Sequence, residues 1–399
     1  MARPSGRSSS STEPLRRSGP NRSVRRFWLQ NIPSGRYCRA VSDEANRTTT
    51  DSTVIPGLDL DAFEAWLQEH HPQLLAGPLS ASLIAGGRSN LTYAIDGGVG
   101  PWVLRRPPLG HVQKTAHDMA REFRVLSALQ PTAVPVPRTV LFIDDPAAGV
   151  EMPFYLMERV DGVALKLRSD NRLFTVDQLV SLSEELATTL ATLHSVDPAS
   201  VGLEDFGKAD GFVERQLVRW GRQYEGSRNR DIPDLDALQG ELAERIPTTM
   251  YTSIVHGDFR LDNALVSNDE SGMPHIAAVL DWEMATLGDS FTDLGLFGLY
   301  WNLSNFADMP ESVVATSVFE EDGYPSFDRV VEVYAKAAGI EVPDLSWYLA
   351  FAAFKLAVIL EGIHFRFQAG QTVGDGFDRI GSLVAPLARA GRTYLSRKA

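Results

Sequence analysis

From Leu58 to Glu69 apolar residues recur at Leu58, Leu60, Phe63 and Leu67, a spacing that predicts a short helix. The period then changes. Leu79 to Ala85 and Leu91 to Asp96 flank Gly86-Gly87-Arg88-Ser89-Asn90, and Gly97-Gly98-Val99-Gly100-Pro101 turns the chain into Trp102-Val103-Leu104-Arg105-Arg106. These segments predict an antiparallel meander of three strands. Ala116 to Gln130 follows as a helix with Met119, Phe123 and Leu126 on one face, and Thr139 to Ile143 with Phe154 to Glu158 predicts a hairpin across Asp144-Asp145-Pro146. Beyond Gly162 the pattern is helical: Thr175 and Gln178 form a capping box ahead of Leu179, Leu182, Leu186, Leu190 and Leu193. Short strands at Ile254-Val255 and Ile276 to Leu280 precede helices near Phe327 to Ala338 and Trp347 to Phe367. No internal repeat is present. The expectation is an α+β chain in two lobes, a small antiparallel-sheet lobe over residues 55–158 and a larger helical lobe over 159–399, with a cleft between them.

Composition narrows this picture. The chain has 399 residues, 44% of them hydrophobic, enough for one large core or two modest ones. Its single cysteine, Cys38, rules out an intrachain disulfide or a thiolate metal cluster supplied by this chain, and fits a reducing, cytoplasmic setting. The apolar segment Leu294 to Ala307 is short of the roughly 18 residues of a membrane span and contains Asn302, Ser304 and Asn305, so no membrane crossing is expected. Charge is uneven: the first 40 residues carry nine arginines against Glu13, and the chain as a whole is at −13, which leaves the remainder at −21. An acidic body makes broad contact with nucleic acid unfavourable. Residues 1–54, rich in Ser, Arg, Thr and Pro, are read as a disordered basic extension. The same composition suits an organelle transit peptide, or a mis-set start with translation beginning at Val41 from a non-AUG codon.

Two motifs fail on inspection. Gly202 to Lys208 has the start of a phosphate-binding P-loop, but Ala209 stands where a hydroxyl must bind magnesium and no strand precedes it. Gly374-Asp375-Gly376 lacks the third glycine of a dinucleotide fingerprint. A third constellation survives. Ile254-Val255-His256-Gly257-Asp258-Phe259-Arg260-Leu261-Asp262-Asn263 is followed by Val279-Leu280-Asp281-Trp282-Glu283. Phosphoryl transfer needs an acid to accept or orient the attacking hydroxyl, and hard oxygen ligands to hold magnesium across the phosphates. Asp258 and Asn263 have the spacing of a kinase catalytic loop, with the base at one end and a metal ligand at the other, and Asp281 at a strand end supplies a second ligand.

With these residues the chain resembles the aminoglycoside phosphotransferase and choline kinase superfamily, relatives of protein kinases. It is most similar to the phosphotransferase domains associated with acyl-CoA dehydrogenases. The resemblance covers roughly residues 57–397 and rests also on Gly86 to Asn90, Val103 to Pro108, Arg121-Glu122-Phe123, Pro153 to Glu158, and Gln216 with Trp220. It implies a bilobal protein-kinase-like fold and an enzyme that uses ATP and Mg2+ to phosphorylate the hydroxyl of a small molecule. It also implies a functional link to an acyl-CoA dehydrogenase and a hydroxyacyl-CoA acceptor, with aminoglycoside or choline-type kinases and a catalytically silent nucleotide- or acyl-CoA-binding module as alternatives.

The nucleotide site follows from strand alternation, which sets Val103 and Arg105 on one face: Val103 to roof the adenine, Arg105 to reach phosphate where protein kinases carry lysine. Glu122 is expected to pair with Arg105. Gly86, Gly87, Ser89 and Asn90 form the phosphate-side loop, and the backbone of Met157, Glu158 and Val160 serves the adenine edge. His256 is expected to hold the catalytic loop by hydrogen bonding, Glu283 to assist a magnesium through water or to face solvent, and Asp293 to cap a helix. The acceptor is expected near Arg260, Arg215, Trp220, Glu361, His364 and Arg366.

Overall fold

The computed structural model describes residues 55–84, 90–109, 118–306, 316–371 and 377–396. Gly86, Gly87 and Ser89, and the basic extension, lie outside the described residues.

Helix α1 (Leu60–His70) is capped by Asp59, whose carboxylate accepts from the Ala62 amide. It lays Phe63 and Leu67 against one face of a five-stranded sheet. The strands are β1 (Leu75–Leu83), β2 (Leu91–Gly98), β3 (Trp102–Arg106), β4 (Thr139–Ile143) and β5 (Phe154–Glu158), in spatial order β1-β2-β3-β5-β4. The expected meander and hairpin are therefore one sheet, because β5 pairs with β3 on one edge and β4 on the other. Alternation sorts β3: Trp102 and Leu104 join Phe63, Tyr93, Ile95 and Phe154 under α1, while Val103 faces the opposite way with Tyr155 and Met157. That second face packs on α2 (Met119–Leu129) through Met119, Val125 and Leu126, and its core runs on into the helical lobe without a break.

The helical lobe is built around α8 (Ser346–Gln368), which contacts α4 (Phe212–Ser227), α5 (Pro233–Ala243), α6 (Ser290–Trp301) and the C-terminal α9 (Val384–Ser396). Helix α3 (Val176–His194) carries the expected capping box: the Thr175 amide donates to Gln178 Oε1 at 2.9 Å and the Gln178 amide to Thr175 Oγ1 at 3.3 Å. It packs on α7 (Phe327–Ala338). Among the described residues α8, at 23 residues, has the length and apolar character of a membrane span, yet 72% of its apolar window is buried in the fold. Its breadth of contacts explains that composition: a helix surrounded by others has no polar face to show.

Two small sheets complete the lobe. Strand β6 (Thr252–Val255) pairs with β9 (Thr286–Asp289), and β7 (Ala264–Asn268) with β8 (Pro274–Val279), all antiparallel. The two strands expected here pair with partners that the hydrophobic pattern did not reveal. Their arrangement matters for chemistry: the β7–β8 register places Ala264 opposite Val279, so the residue before β7, Asn263, faces the segment after β8 that contains Asp281. The Leu280 amide donates to the Asn263 carbonyl at 2.7 Å, which fixes that juxtaposition.

Candidate active site

The candidate catalytic turn, residues 256–258, leaves β6 with its backbone groups held from several directions. Gly257 has φ +83°, a conformation that favours glycine, and a Cβ there would approach the Met284 carbonyl oxygen to 2.8 Å. The Asp293 carboxylate accepts from the His256 amide at 2.6 Å and the Gly257 amide at 2.8 Å, and lies 3.3 Å from His194 Nε2. Asp293 is 1% exposed, and these partners hold its carboxyl below the usual carboxylate range against the cost of its burial. This corrects the capping role expected of Asp293. Helix α6 starts at Ser290 and Asp289 is its N-cap, accepting from the Phe291 amide at 3.0 Å, so Asp293 falls inside the first turn and points back at the loop. His256 is fully buried, with Nδ1 accepting the Asp258 amide at 3.2 Å and Nε2 at 2.9 Å from the Leu280 carbonyl. The carbonyl requires Nε2 to be the protonated nitrogen, which leaves the imidazole no free proton site for catalysis.

Asn263 reaches back across this loop: its Nδ2 donates to the Asp258 carbonyl and to Asp258 Oδ2, both at 2.9 Å. Its side-chain oxygen is thereby turned away from Asp258. Asp281 has φ +66°, alone among non-glycine described residues in the left-handed region. That conformation costs of order 1–3 kcal/mol and gathers where function requires it. The neighbouring Trp282 anchors the turn, donating from Nε1 to the Val279 carbonyl at 2.9 Å.

Arg105 bridges the lobes. Its Nε donates to Glu122 at 3.0 Å and its Nη2 to Asp281 at 2.6 Å. Glu122 is 2% exposed, not a solvated surface acid, and burial raises its carboxyl although Arg105 pulls the other way. Burial likewise opposes the Arg105 charge, but Glu122, Tyr155, Asp281 and Glu283 outweigh it and keep the guanidinium firmly protonated. A planar fork can engage two carboxylates at once, which a single ammonium does less well. Glu283 is not a simple solvent-facing group: burial, then the like charge of Asp281, lifts it to about 7. The buried Asn90 donates to Glu283 at 3.2 Å, while Asn90 Oδ1 has no hydrogen-bond partner.

Of these groups Asn90, Arg105, Glu122, Asp258, Asn263 and Asp281 open on one cavity of about 1010 Å3, whose walls also include Val103, Met157, Glu158 and Val160; His256, Glu283 and Asp293 do not line it. On the helical side it is walled by Leu356, Ile359, Leu360 and Ile363 of α8, with Ile380, Arg260 and Tyr300. Of the residues expected near the acceptor, Arg260 lines the cavity, paired with Asp262 and stacked 4.3 Å from the centre of the Tyr300 ring. Arg215, Trp220, Glu361, His364 and Arg366 do not line it. Arg215 bonds the Lys208 and Asp210 carbonyls, and the fully buried Glu361 pairs with Arg230.

Among the described residues no three His, Cys, Asp or Glu side chains gather to hold a metal unaided. The fit to magnesium is nonetheless good. Asn263 and Asp281 would supply the oxygen ligands, and this ion commonly takes one or two protein carboxylates and completes its shell with phosphates and water. The cavity wall carries six acids (Glu122, Glu158, Asp161, Asp258, Asp262, Asp281) against four basic groups (Arg105, Arg159, Lys166, Arg260), a balance that favours a cation.

Comparison with known proteins agrees with this geometry. Residues 80–327 match the model of the phosphotransferase enzyme family. Acyl-CoA dehydrogenase family member 11 from Gallus gallus is 33% identical over 80% of this chain and 41% of its own length. The Homo sapiens protein of the same name is 31% identical over 84% of this chain and 42% of its own length. The chain thus spans less than half of these relatives. A solved structure of a candidate aminoglycoside phosphotransferase from Ralstonia eutropha JMP134 superposes with a TM-score of 0.72 and 32% identity, covering 85% of this chain and 98% of that one. A ternary complex of the aminoglycoside phosphotransferase APH(4)-Ia with AMP-PNP and hygromycin B shares the fold, with a TM-score of 0.55 at 16% identity over 84% of this chain and 99% of that one.

Proposed function

The chain belongs to the phosphotransferase enzyme family, and on that basis we propose that it is an ATP- and magnesium-dependent kinase that phosphorylates the hydroxyl of a hydroxyacyl-CoA. The observation that carries the kinase reading is the convergence of Asp258, Asn263, Asp281 and Arg105, drawn from both lobes, on a single cavity. Asp258 orients the acceptor hydroxyl and takes its proton, its carboxylate aimed by the Asn263 amide. Arg105, fixed by Glu122, presents its positive charge to the phosphates. Val103 and Met157 roof the base, and the backbone from Met157 to Val160 offers its edge hydrogen bonds. Magnesium bound through Asn263 and Asp281 would neutralise charge on the transferring phosphoryl group.

The acyl-CoA class is supported by two features. The acceptor side of the cavity is walled by the aliphatic residues Leu356, Ile359, Leu360 and Ile363, which suit a hydrocarbon chain better than a polycationic sugar. The relatives that match over most of this chain bear the name acyl-CoA dehydrogenase, which supports a functional link to such an enzyme. A γ-phosphate transfer screen over hydroxyacyl-CoAs, aminoglycosides, choline and sugars tests the proposal. Transfer to a hydroxyacyl-CoA is expected, and transfer confined to an aminoglycoside, choline or sugar would overturn the substrate class while leaving the kinase reading intact.

A further inference from the structure

In the turn at residues 256–258 the three amides and the Asp258 carbonyl are met by Asp293, His256 and Asn263, and the Gly257 carbonyl, immediately before Asp258, is met by Lys355 Nζ at 2.6 Å. Lys355 stands on α8 in an otherwise apolar stretch, Leu349 to Leu360, and its neighbour Leu356 and the next turn's Ile359 form the acceptor wall. One helix therefore carries both the surface against which an acceptor would lie and the cation that grips the turn bearing the general base.

We infer that Lys355 is a positioning residue for phosphoryl transfer, its ammonium fixing the Gly257 carbonyl and so the aim of the Asp258 carboxylate towards an acceptor seated on α8. The inference rests on the kinase reading above. A charge is costly to place here, since burial draws this ammonium below the ordinary lysine range, with Asp258 and Asp293 acting to hold it charged and Arg219 acting against it. The Trp220 ring lies 5.5 Å away, so an aromatic face lines part of its surroundings. A structural filler at this position of an apolar helix needs no charge, whereas a turn flanked by two carboxylates, with a carbonyl to be oriented, does. Gly257 at φ +83° has no Cβ to restrict it, so the peptide plane leading into Asp258 is fixed by the partners at its two ends, His256 Nδ1 at the amide and Lys355 Nζ at the carbonyl.

The test uses the full chain with magnesium and ATP, reading γ-phosphate transfer to a hydroxyacyl-CoA, ATP hydrolysis to water, and nucleotide affinity by calorimetry. K355M is expected to lower kcat for transfer at least about 10-fold, the scale of a misplaced reacting group, with nucleotide Kd unchanged within about 2-fold, while K355R restores most of kcat. Should K355M fail to fold, K355Q replaces it under the same thresholds. The inference is overturned if the neutral variant keeps full kcat, if nucleotide affinity falls in step with kcat, or if a folded K355R is no better than the neutral variant. D258N in parallel separates the two levels: loss of transfer in D258N with none in K355M removes Lys355 alone, and an unaltered chain that neither transfers phosphate nor hydrolyses ATP removes the kinase reading and this inference together.

Discussion

Replacing Arg105 by methionine should expose how much of the interlobe structure depends on one guanidinium. The side chain is 14% exposed and bonds Glu122, itself 2% exposed, at 3.0 Å and Asp281 at 2.6 Å. Without it Glu122 is a carboxylate with no cation beside it, and breaking a buried pair in this way costs about 3–5 kcal/mol. Protonation relieves part of that cost, which gives the loss a pH signature. Burial already raises the Glu122 carboxyl with Arg105 present, and removing Arg105 raises it further. In the variant the folded state then keeps a proton that the unfolded state has released, so fewer protons are bound on unfolding and stability falls as pH rises above about 4.3, the unfolded value. Urea unfolding at pH 5 and pH 8 measures this. R105M is expected to be destabilised at both, more so at pH 8, and R105M/E122Q to recover most of the difference because the neutral amide needs no counter-charge. A loss below about 1 kcal/mol at pH 8, or a double variant no more stable than the single one, would refute the argument that Arg105 and Glu122 form one buried unit.

Three further outcomes are expected. D258N lowers turnover at least about 10²-fold, the low end for loss of an acid–base group, with nucleotide affinity by calorimetry intact; unchanged turnover removes Asp258 from the mechanism. D281A weakens binding of nucleotide in the presence of magnesium, and normal affinity by calorimetry contradicts the role given to Asp281. Glu283, lifted from 4.5 to about 7 by burial and Asp281, makes chelator-treated protein lose stability as pH rises through that interval. E283Q should flatten this part of the stability–pH curve, and an unaltered slope would show that another group titrates there.

Much of this site was legible because its motifs are local. Asp258 and Asn263 are five residues apart, and the loop between them is closed by its own side-chain amide. Val103 and Arg105 share a face for the simple reason that strand side chains alternate. What the sequence withheld depends on contacts distant along the chain. Asp289 and Asp293 are both competent N-caps by residue type, and only the start of α6 at Ser290 decides that one caps and the other reaches the catalytic turn. Strands β7 and β9 have five and four residues, too few to show a period, and their partners are fixed by the loops they flank. Helix α4 buries Phe212, Val213, Leu217, Trp220 and Tyr224, a helical spacing diluted by interspersed arginines and glutamates. A signal for Lys355 was present and easily passed over: a lone cation between Phe354 and Leu356 in a long apolar run has no reason to be there unless something anionic or carbonyl-bearing faces it.

The charge pattern of the cavity adds a constraint on what can enter it. Of its four cations, Arg105 is committed to Glu122 and Asp281, Arg159 to Asp96 at 2.7 Å, and Arg260 to Asp262. An incoming polyphosphate therefore meets Asp258 and Asp281 with three of the four cations already engaged. Opening of the Arg105–Asp281 contact would release the guanidinium to the phosphates, and Asp281 would then be available to hold a divalent cation. On this reasoning Arg105 would exchange Asp281 for phosphate while Glu122 kept hold of its Nε, and arginine suits the position because its fork makes the two attachments independently. R105K, with one ammonium in place of the fork, should retain the protein's fold better than R105M yet bind magnesium-nucleotide more weakly than the unaltered chain. Equal nucleotide affinity in R105K, measured by calorimetry, would show that the fork plays no part in the exchange.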